Sequence, residues 1–349
     1  MATFGLWSAW CMVALAAAAM ITRALVPWTR ARAIVDIPTD RGCHARSTPR
    51  GGGLAIVAVV AVVGATLLLL RLDDPRLAGA ILPALAVAAV SWRDDVRSLR
   101  NSVRFAVHLA AAVAAVAVLG PVTRVDLGGF GVVRLGAAAW PLTILWVVGL
   151  TNAFNFMDGI DGIAGITAAA AGAGIAAAAA ACAAGPVAVL AAAFAGAALG
   201  FLTCNWQPAR IFMGDVGSTF CGCLLAVLPL AVPADCVPEV LPVAVLALWP
   251  FIVDSGFTLL RRLAGGENIF RPHRSHLYQR LVLSGWPHRT VAGIYGGLSA
   301  CLAAVAVTPL IDPTLRSAAS GVATALVVAV PVMLVGLVAV VARGAEPVP

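Results

Sequence analysis

Apolar runs of about 17–25 residues, each long enough to cross the hydrocarbon of a bilayer, recur along this 349-residue chain. A buried aqueous core has no use for so many. Residues with hydrophobic side chains make up 61% of the sequence and charged ones 11%, against about 25% charged in soluble domains. The short alternating segments of a transmembrane β-barrel are absent. The expected fold is all-α, a polytopic transmembrane helical bundle.

We place eleven spans at about 5–26, 53–70, 76–91, 104–120, 137–151, 162–182, 186–203, 216–232, 239–260, 291–310 and 318–341. The connections then alternate between two sides. One side receives 27–52, 92–103, 152–161, 204–215, 261–290 and the C-terminal tail, with seventeen arginines; the other has five. The arginine-rich side is expected to be cytoplasmic, with the N-terminus outside and the C-terminus inside. Residues 1–26 lack the leading positive charge of a cleaved signal, while Arg23 and Arg30 follow the apolar stretch as in an anchor. No connection is long enough to fold alone, so 1–349 reads as a single integral-membrane domain. The eight cysteines read as small packing residues, and no disulfide is placed.

The polar motifs fall on the arginine-rich side. The run Thr151-Asn152-Ala153-Phe154-Asn155-Phe156-Met157-Asp158-Gly159-Ile160-Asp161-Gly162 sets carboxamides and carboxylates every third residue. If helical, neighbouring members share a face, and hard oxygen ligands at membrane depth suit Mg²⁺ and phosphate. The first loop carries Asp36, Asp40, Arg41, His44 and Arg46 before Arg50-Gly51-Gly52-Gly53, where arginines and exposed amides suit anionic oxygens. An ordinary topology-setting loop explains that segment equally well. Asp94 and Asp95 diverge by about 100° on a helix, so one can face a ligand while the other orients it; a solvated helix end is the plain alternative. Asn205 to Ser218 packs Arg210, Phe212, Gly214 and Asp215 together, where Asp215 or Ser218 could also be a helix cap. Phe270, His273, Arg274, His276 and Arg280 read as a basic pocket for pyrophosphate rather than a zinc pair, given the cationic neighbours. Asp254 is expected to pair with Arg261 or Arg262, and His108 and His288 read as structural.

Asp36…Arg50-Gly-Gly-Gly, Asp94-Asp95, Asn152…Asp161-Gly-Ile-Ala-Gly, Pro208…Gly217-Ser218 and His273-Arg-Ser-His276-Leu-Tyr-Gln-Arg280 stand in one order. Together they resemble the polyprenyl-phosphate N-acetylhexosamine-1-phosphate transferase superfamily. Ser47 and Ser91-Trp92-Arg93 depart from its usual pattern. The resemblance implies transfer of a sugar-1-phosphate from a UDP-N-acetylhexosamine to a polyprenyl phosphate such as undecaprenyl phosphate, with release of UMP. It implies Mg²⁺, with Mn²⁺ as alternative, held by Asn155 and Asp215. Asp94, Asp95, Asp158, His273 and His276 would be catalytic, and Arg50, Asn152, Asp161, Asn205, Phe212, Arg274 and Arg280 would bind substrate. The form of the last motif resembles initiators of O-antigen or capsule chains using FucNAc, QuiNAc or GlcNAc. The implied location is the bacterial inner membrane with a cytoplasmic site. No nucleic-acid partner is expected, and a homodimer stays open. A transporter or flippase is the competing reading, and a dead scaffold the third; the grouping of polar motifs at one rim favours an enzyme.

Overall fold

The structure, a computed structural model, describes residues 2–37, 47–70, 75–126, 131–268, 271 and 273–344. Asp40, Arg41, His44, Arg46 and Phe270 lie outside the described residues. Thirteen described α-helices dominate: α1 (Ala2–Ala31), α2 (Leu54–Leu70), α3 (Pro75–Val96), α4 (Asn101–Leu119), α5 (Ala139–Phe156), α6 (Ile163–Ala181), α7 (Gly185–Asn205), α8 (Asp215–Val227), α9 (Val237–Ala247), α10 (Trp249–Ala264), α11 (Leu277–Leu283), α12 (His288–Ile311) and α13 (Arg316–Gly344). Strands β1 (Val35–Asp36) and β2 (Thr48–Pro49) pair antiparallel, as do β3 (Arg124–Asp126) and β4 (Val132–Arg134). The all-helical expectation holds.

Among the described residues, eight helices are long and apolar enough to cross a membrane, and the pair α9–α10 makes a ninth if taken as one broken span. Two apolar stretches, Leu54–Leu70 and Asp215–Leu230, are shorter. The chain is a multi-pass membrane protein. The straight span expected over 239–260 is instead bent by 65° between α9 and α10, where Pro250 follows Trp249. A proline in the first turn of a helix needs no amide partner, so it starts α10 on a new axis.

Helices α6 and α7 form the centre, whereas α1 and α13 expose most of their surface. The central helices are built of alanine and glycine, which lets backbones approach closely where lipid offers no hydrophobic drive. Gly196 and Gly200, one turn apart on α7, lie against the Cys11 and Leu15 carbonyls of α1, and a methyl group there would collide with backbone. Indole nitrogens bind across helices, Trp146 Nε1 to the Ala226 carbonyl at 3.0 Å and Trp249 Nε1 to Val327 at 3.1 Å.

The helix expected to carry all four members of the 152–161 polar run ends at Phe156. Residues 157–162 form a turn before α6. Only Asn152 and Asn155 therefore keep the helical register, and Asp158 and Asp161 are aimed by the turn.

Candidate active site

Several helix ends meet at one place. The C-terminal turn of α3 brings Asp94 and Asp95, the first turn of α4 brings Arg104, the last turn of α5 brings Asn155, and α8 begins with Asp215. Arg50 enters from the segment after β2.

Asp215 is the centre. Arg50 Nη2 lies 2.9 Å from its Oδ1 and Arg104 Nη2 lies 3.2 Å from its Oδ2. The same arginines reach outward, Arg50 Nε to Asp95 at 2.8 Å and Arg104 Nη1 to Asp94 at 3.0 Å. Three carboxylates and two guanidinium groups thus alternate in a chain. The Asn155 amide closes it: with nitrogen toward Ser218 Oγ (2.6 Å) and Asp215 Oδ1 (3.3 Å), its oxygen accepts from Arg104 Nη2 at 3.0 Å.

Asp95 has a second duty that its place in the sequence conceals. Its side chain is fully buried and accepts the backbone N–H groups of Asp215 and Val216, each at 2.9 Å. The cap position of α8 is Gly214, which has no side chain to do this. Asp95 therefore caps α8 from another helix, placing a carboxylate at a positive helix end and fixing where Asp215 points. Ser218, considered as a cap, instead donates to the Gly214 carbonyl at 3.1 Å.

A cavity of about 210 Å³ opens beside this cluster, lined among others by Asp36, Arg50, Asn155, Asp158, Phe212 and Asp215. Burial, with Asp215 adding repulsion, pushes the Asp158 carboxyl well above its ordinary range. Burial acts against the charge of Arg50, yet Asp215, Asp95, Asp36 and Asp158 outweigh it and raise its hold on the proton. At the other end, Asp161 accepts the Ala209 amide at 3.0 Å and has His288 Nδ1 3.3 Å from its Oδ1. Asn205 holds the same junction, accepting from Gly162 N and donating to the Ile211 carbonyl, both at 3.0 Å.

The donor set fits a divalent cation of the Mg²⁺ type. It consists of hard carboxylate and carboxamide oxygens, the ligand type Mg²⁺ takes. Among the described residues no three His, Cys, Asp or Glu form a closed ligand set. Mg²⁺ is commonly held by one or two carboxylates and completed by substrate phosphates and water, and Asp215 with Asn155 offers that number.

The remaining residues named from sequence lie elsewhere. Asn152 faces His108 (Oδ1 to Nδ1 3.3 Å) and donates to the Val148 carbonyl at 2.7 Å, outside the cavity lining. His273, Arg274, His276 and Arg280 do not line the cavity. His276 lies beside His273, ring centroids 5.0 Å apart and planes tilted by 30°, and its Nδ1 lies 3.2 Å from Asp254 Oδ1. Burial and the neighbouring His276 and Arg262 bring His273 down to about 4, so it is neutral at physiological pH.

The expected pairing of Asp254 with Arg261 or Arg262 is wrong. Arg262 binds Glu267 at 2.8 Å, and Arg261 donates to the Ser275 carbonyl at 3.1 Å. Asp254 is fully buried and accepts from Leu277 N (2.8 Å), Tyr278 N (3.0 Å) and Tyr295 Oη (2.7 Å). Backbone amides at the start of α11 outcompete distant flexible arginines, because they present fixed donors at a positive helix end. Tyr278 Oη in turn donates to the Phe156 carbonyl at 3.1 Å, tying α11 to the end of α5, and Gln279 reaches the cavity wall.

Sequence alone does not single out Arg104, Gln279 or the capping role of Asp95, and it reads His288 as structural. Arg104 was visible only as one more topology-setting arginine. His288 meets Asp161 across 127 residues, a separation no local pattern encodes.

Residues 77–232 match the family described as Glycosyl transferase family 4. The chain is similar to a probable undecaprenyl-phosphate N-acetylglucosaminyl 1-phosphate transferase of Bacillus subtilis, 32% identical over 73% of this chain and 71% of that protein. It is 33% identical to the decaprenyl-phosphate N-acetylglucosaminephosphotransferase of Mycolicibacterium smegmatis, over 92% of this chain and 87% of that one. A phospho-N-acetylmuramoyl-pentapeptide-transferase of Heliobacterium modesticaldum is 34% identical over 45% of this chain and 47% of its own length.

Proposed function

The chain belongs to glycosyl transferase family 4, and from that premise we propose that it transfers an N-acetylhexosamine-1-phosphate from a UDP-sugar to a polyprenyl phosphate, releasing UMP. The relatives support the coarser part, a sugar-1-phosphate transferase acting on a polyprenyl phosphate in a membrane. Their names make GlcNAc the first donor to test, with FucNAc and QuiNAc next. The reading extends to initiation of a cell-surface polysaccharide, O-antigen or capsule, from the cytoplasmic face of the inner membrane.

The observation that carries it is the convergence of Arg50, Arg104 and Asn155 on Asp215 at the wall of a cavity. In the reaction an acceptor phosphate oxygen attacks the sugar-bearing phosphorus, and the phosphoanhydride bond to UMP breaks. Anions must be brought together, so positive charge and placement are the main needs. Arg50 and Arg104 supply fixed charge and, when substrate phosphates arrive, can exchange carboxylate partners for phosphate oxygens. Mg²⁺, held by Asp215 and Asn155, would neutralise the pyrophosphate. Asp94, paired to Arg104, is placed to orient the acceptor phosphate, and Asp95 holds the site from behind through α8. Phe212 and Asp161 line the same cavity and suit the uridine end. His273 and His276, outside that lining, sit on the loop that α11 anchors.

Purified protein given Mg²⁺, undecaprenyl phosphate and separate UDP-GlcNAc, UDP-FucNAc and UDP-QuiNAc should release UMP with at least one donor. EDTA should abolish the release and added Mg²⁺ restore it. Silence with all three donors overturns the proposal.

A further inference from the structure

Two cysteines at the ends of different helices are neighbours at the end of the bundle away from Asp215. Helix α6 starts beside the 157–162 turn and ends at Ala181, with Cys182 as its cap residue, roughly 28 Å further along the axis. Cys236 is the cap residue at the start of α9. Its Sγ lies 3.7 Å from the Cys182 carbonyl oxygen, and Cys182 Sγ lies 3.6 Å from Glu239 Oε2, one turn into α9. Both cysteines are partly exposed. Cys221 and Cys223, by contrast, are buried along α8.

The arginine count puts this end outside the cytoplasm, so a bond here rests on the same sidedness as the proposed function. Disulfides form and persist on that side of a membrane. We propose that Cys182 and Cys236 are joined by a disulfide in the protein as it exists in the cell. The oxidant is a disulfide of the thiol–disulfide oxidoreductase class. One cysteine thiolate attacks it, giving a mixed disulfide and one oxidant thiol. The second cysteine displaces the other oxidant sulfur. Two protons and two electrons pass to the oxidant, which leaves as a dithiol, and one S–S bond joins the helices.

The surroundings favour a structural bond over a switch. The Glu239 carboxylate, 3.6 Å from Cys182 Sγ, disfavours the thiolate that reduction would release, so the bond resists reduction once formed. It would pin the outer end of α9, whose continuation past the 65° bend is α10, carrying Asp254 and through it the start of α11. The staple thereby braces the far end of the lever that holds the His276 loop.

The test begins with cells quenched in acid and alkylated before extraction, so that existing thiols are trapped. Protease fragments of the full-length protein are then weighed without reductant. The fragments bearing 182 and 236 are expected linked, two hydrogens lighter than their sum, and separable by reduction. Cys182→Ser should leave Cys236 alkylated, and reduction should lower the thermal midpoint of wild type to that of the variant. Full alkylation of both cysteines in the quenched sample overturns the proposal. A second arm treats reduced spheroplasts with a membrane-impermeant maleimide. Labelling of Cys236 without permeabilisation supports the sidedness; labelling only after permeabilisation sinks the sidedness and this proposal together. UMP release is scored separately, so a failed transferase reading leaves these readouts untouched.

Discussion

Asp95 and Asp94 are neighbours in sequence and do different work. Asp94 accepts the Leu99 amide and pairs with Arg104 near the cavity cluster, whereas Asp95 is fully enclosed and spends both oxygens on α8 and Arg50. Removing its carboxylate leaves the backbone N–H groups of Asp215 and Val216 without an acceptor, at a cost of about 1–3 kcal/mol for each group left unsatisfied. Asp95→Ala should therefore lower unfolding free energy in detergent by about that amount, while Asp94→Asn should spare the fold and reduce UMP release. Asp158 gives a pH signature. Its folded-state proton affinity lies well above that of an unfolded aspartate, about 3.9. The stability linked to its proton is complete below that value and is lost as pH rises through the folded one. Asp158→Asn removes the titration, so its thermal midpoint should exceed the parent's by a margin that widens from pH 5 to pH 8. A margin that stays constant would show that Asp158 ionises normally. The acidic residues were legible as a set, because carboxylates are rare in so apolar a chain. Which of them faces the cavity and which caps a helix was not legible, since that depends on neighbours 120 residues away.

Among the elements, the turn at 157–162 and helix α11 are interlocked. A methyl group on Gly159 would run into Tyr278 Oη, the atom that donates to Phe156. Gly159→Ala is expected to cost about 1–3 kcal/mol, the usual range for an overpacked site. Adding Tyr278→Phe should return part of that loss, which a double-mutant cycle in chemical unfolding would read directly. Asp254→Ala strips Leu277 and Tyr278 of their acceptor inside a buried pocket. It should destabilise the protein by about 2–4 kcal/mol and detach α11, seen as rapid amide exchange over 277–283. The sequence pattern could find α10 as an apolar segment with a charge in it. Local spacing offered Arg261 and Arg262 as partners, and they were the wrong ones. The right partners are backbone amides at the start of a helix of seven residues, and backbone groups carry no sequence signature.

For the whole molecule, sidedness is the property from which the chemistry is read. Starting from a cysteine-free protein, a single cysteine at Arg316 should react with an impermeant maleimide in intact spheroplasts. One at Arg97 should react only after permeabilisation. The opposite pattern would place the Asp215 cavity outside and remove access to a cytosolic nucleotide sugar. By itself the amino-acid sequence determined the helical membrane class, the polar rim and the family, because hydropathy and motif order are linear properties of the chain. The tertiary structure alone decided that α5 stops at Phe156, that the ninth apolar segment is broken by 65°, that Arg104 joins the Asp215 cluster and that Asp254 serves α11. Those outcomes come from competition between partners brought together by packing. Close-range geometry sets the winner of such a competition, and no stretch of sequence contains both contestants.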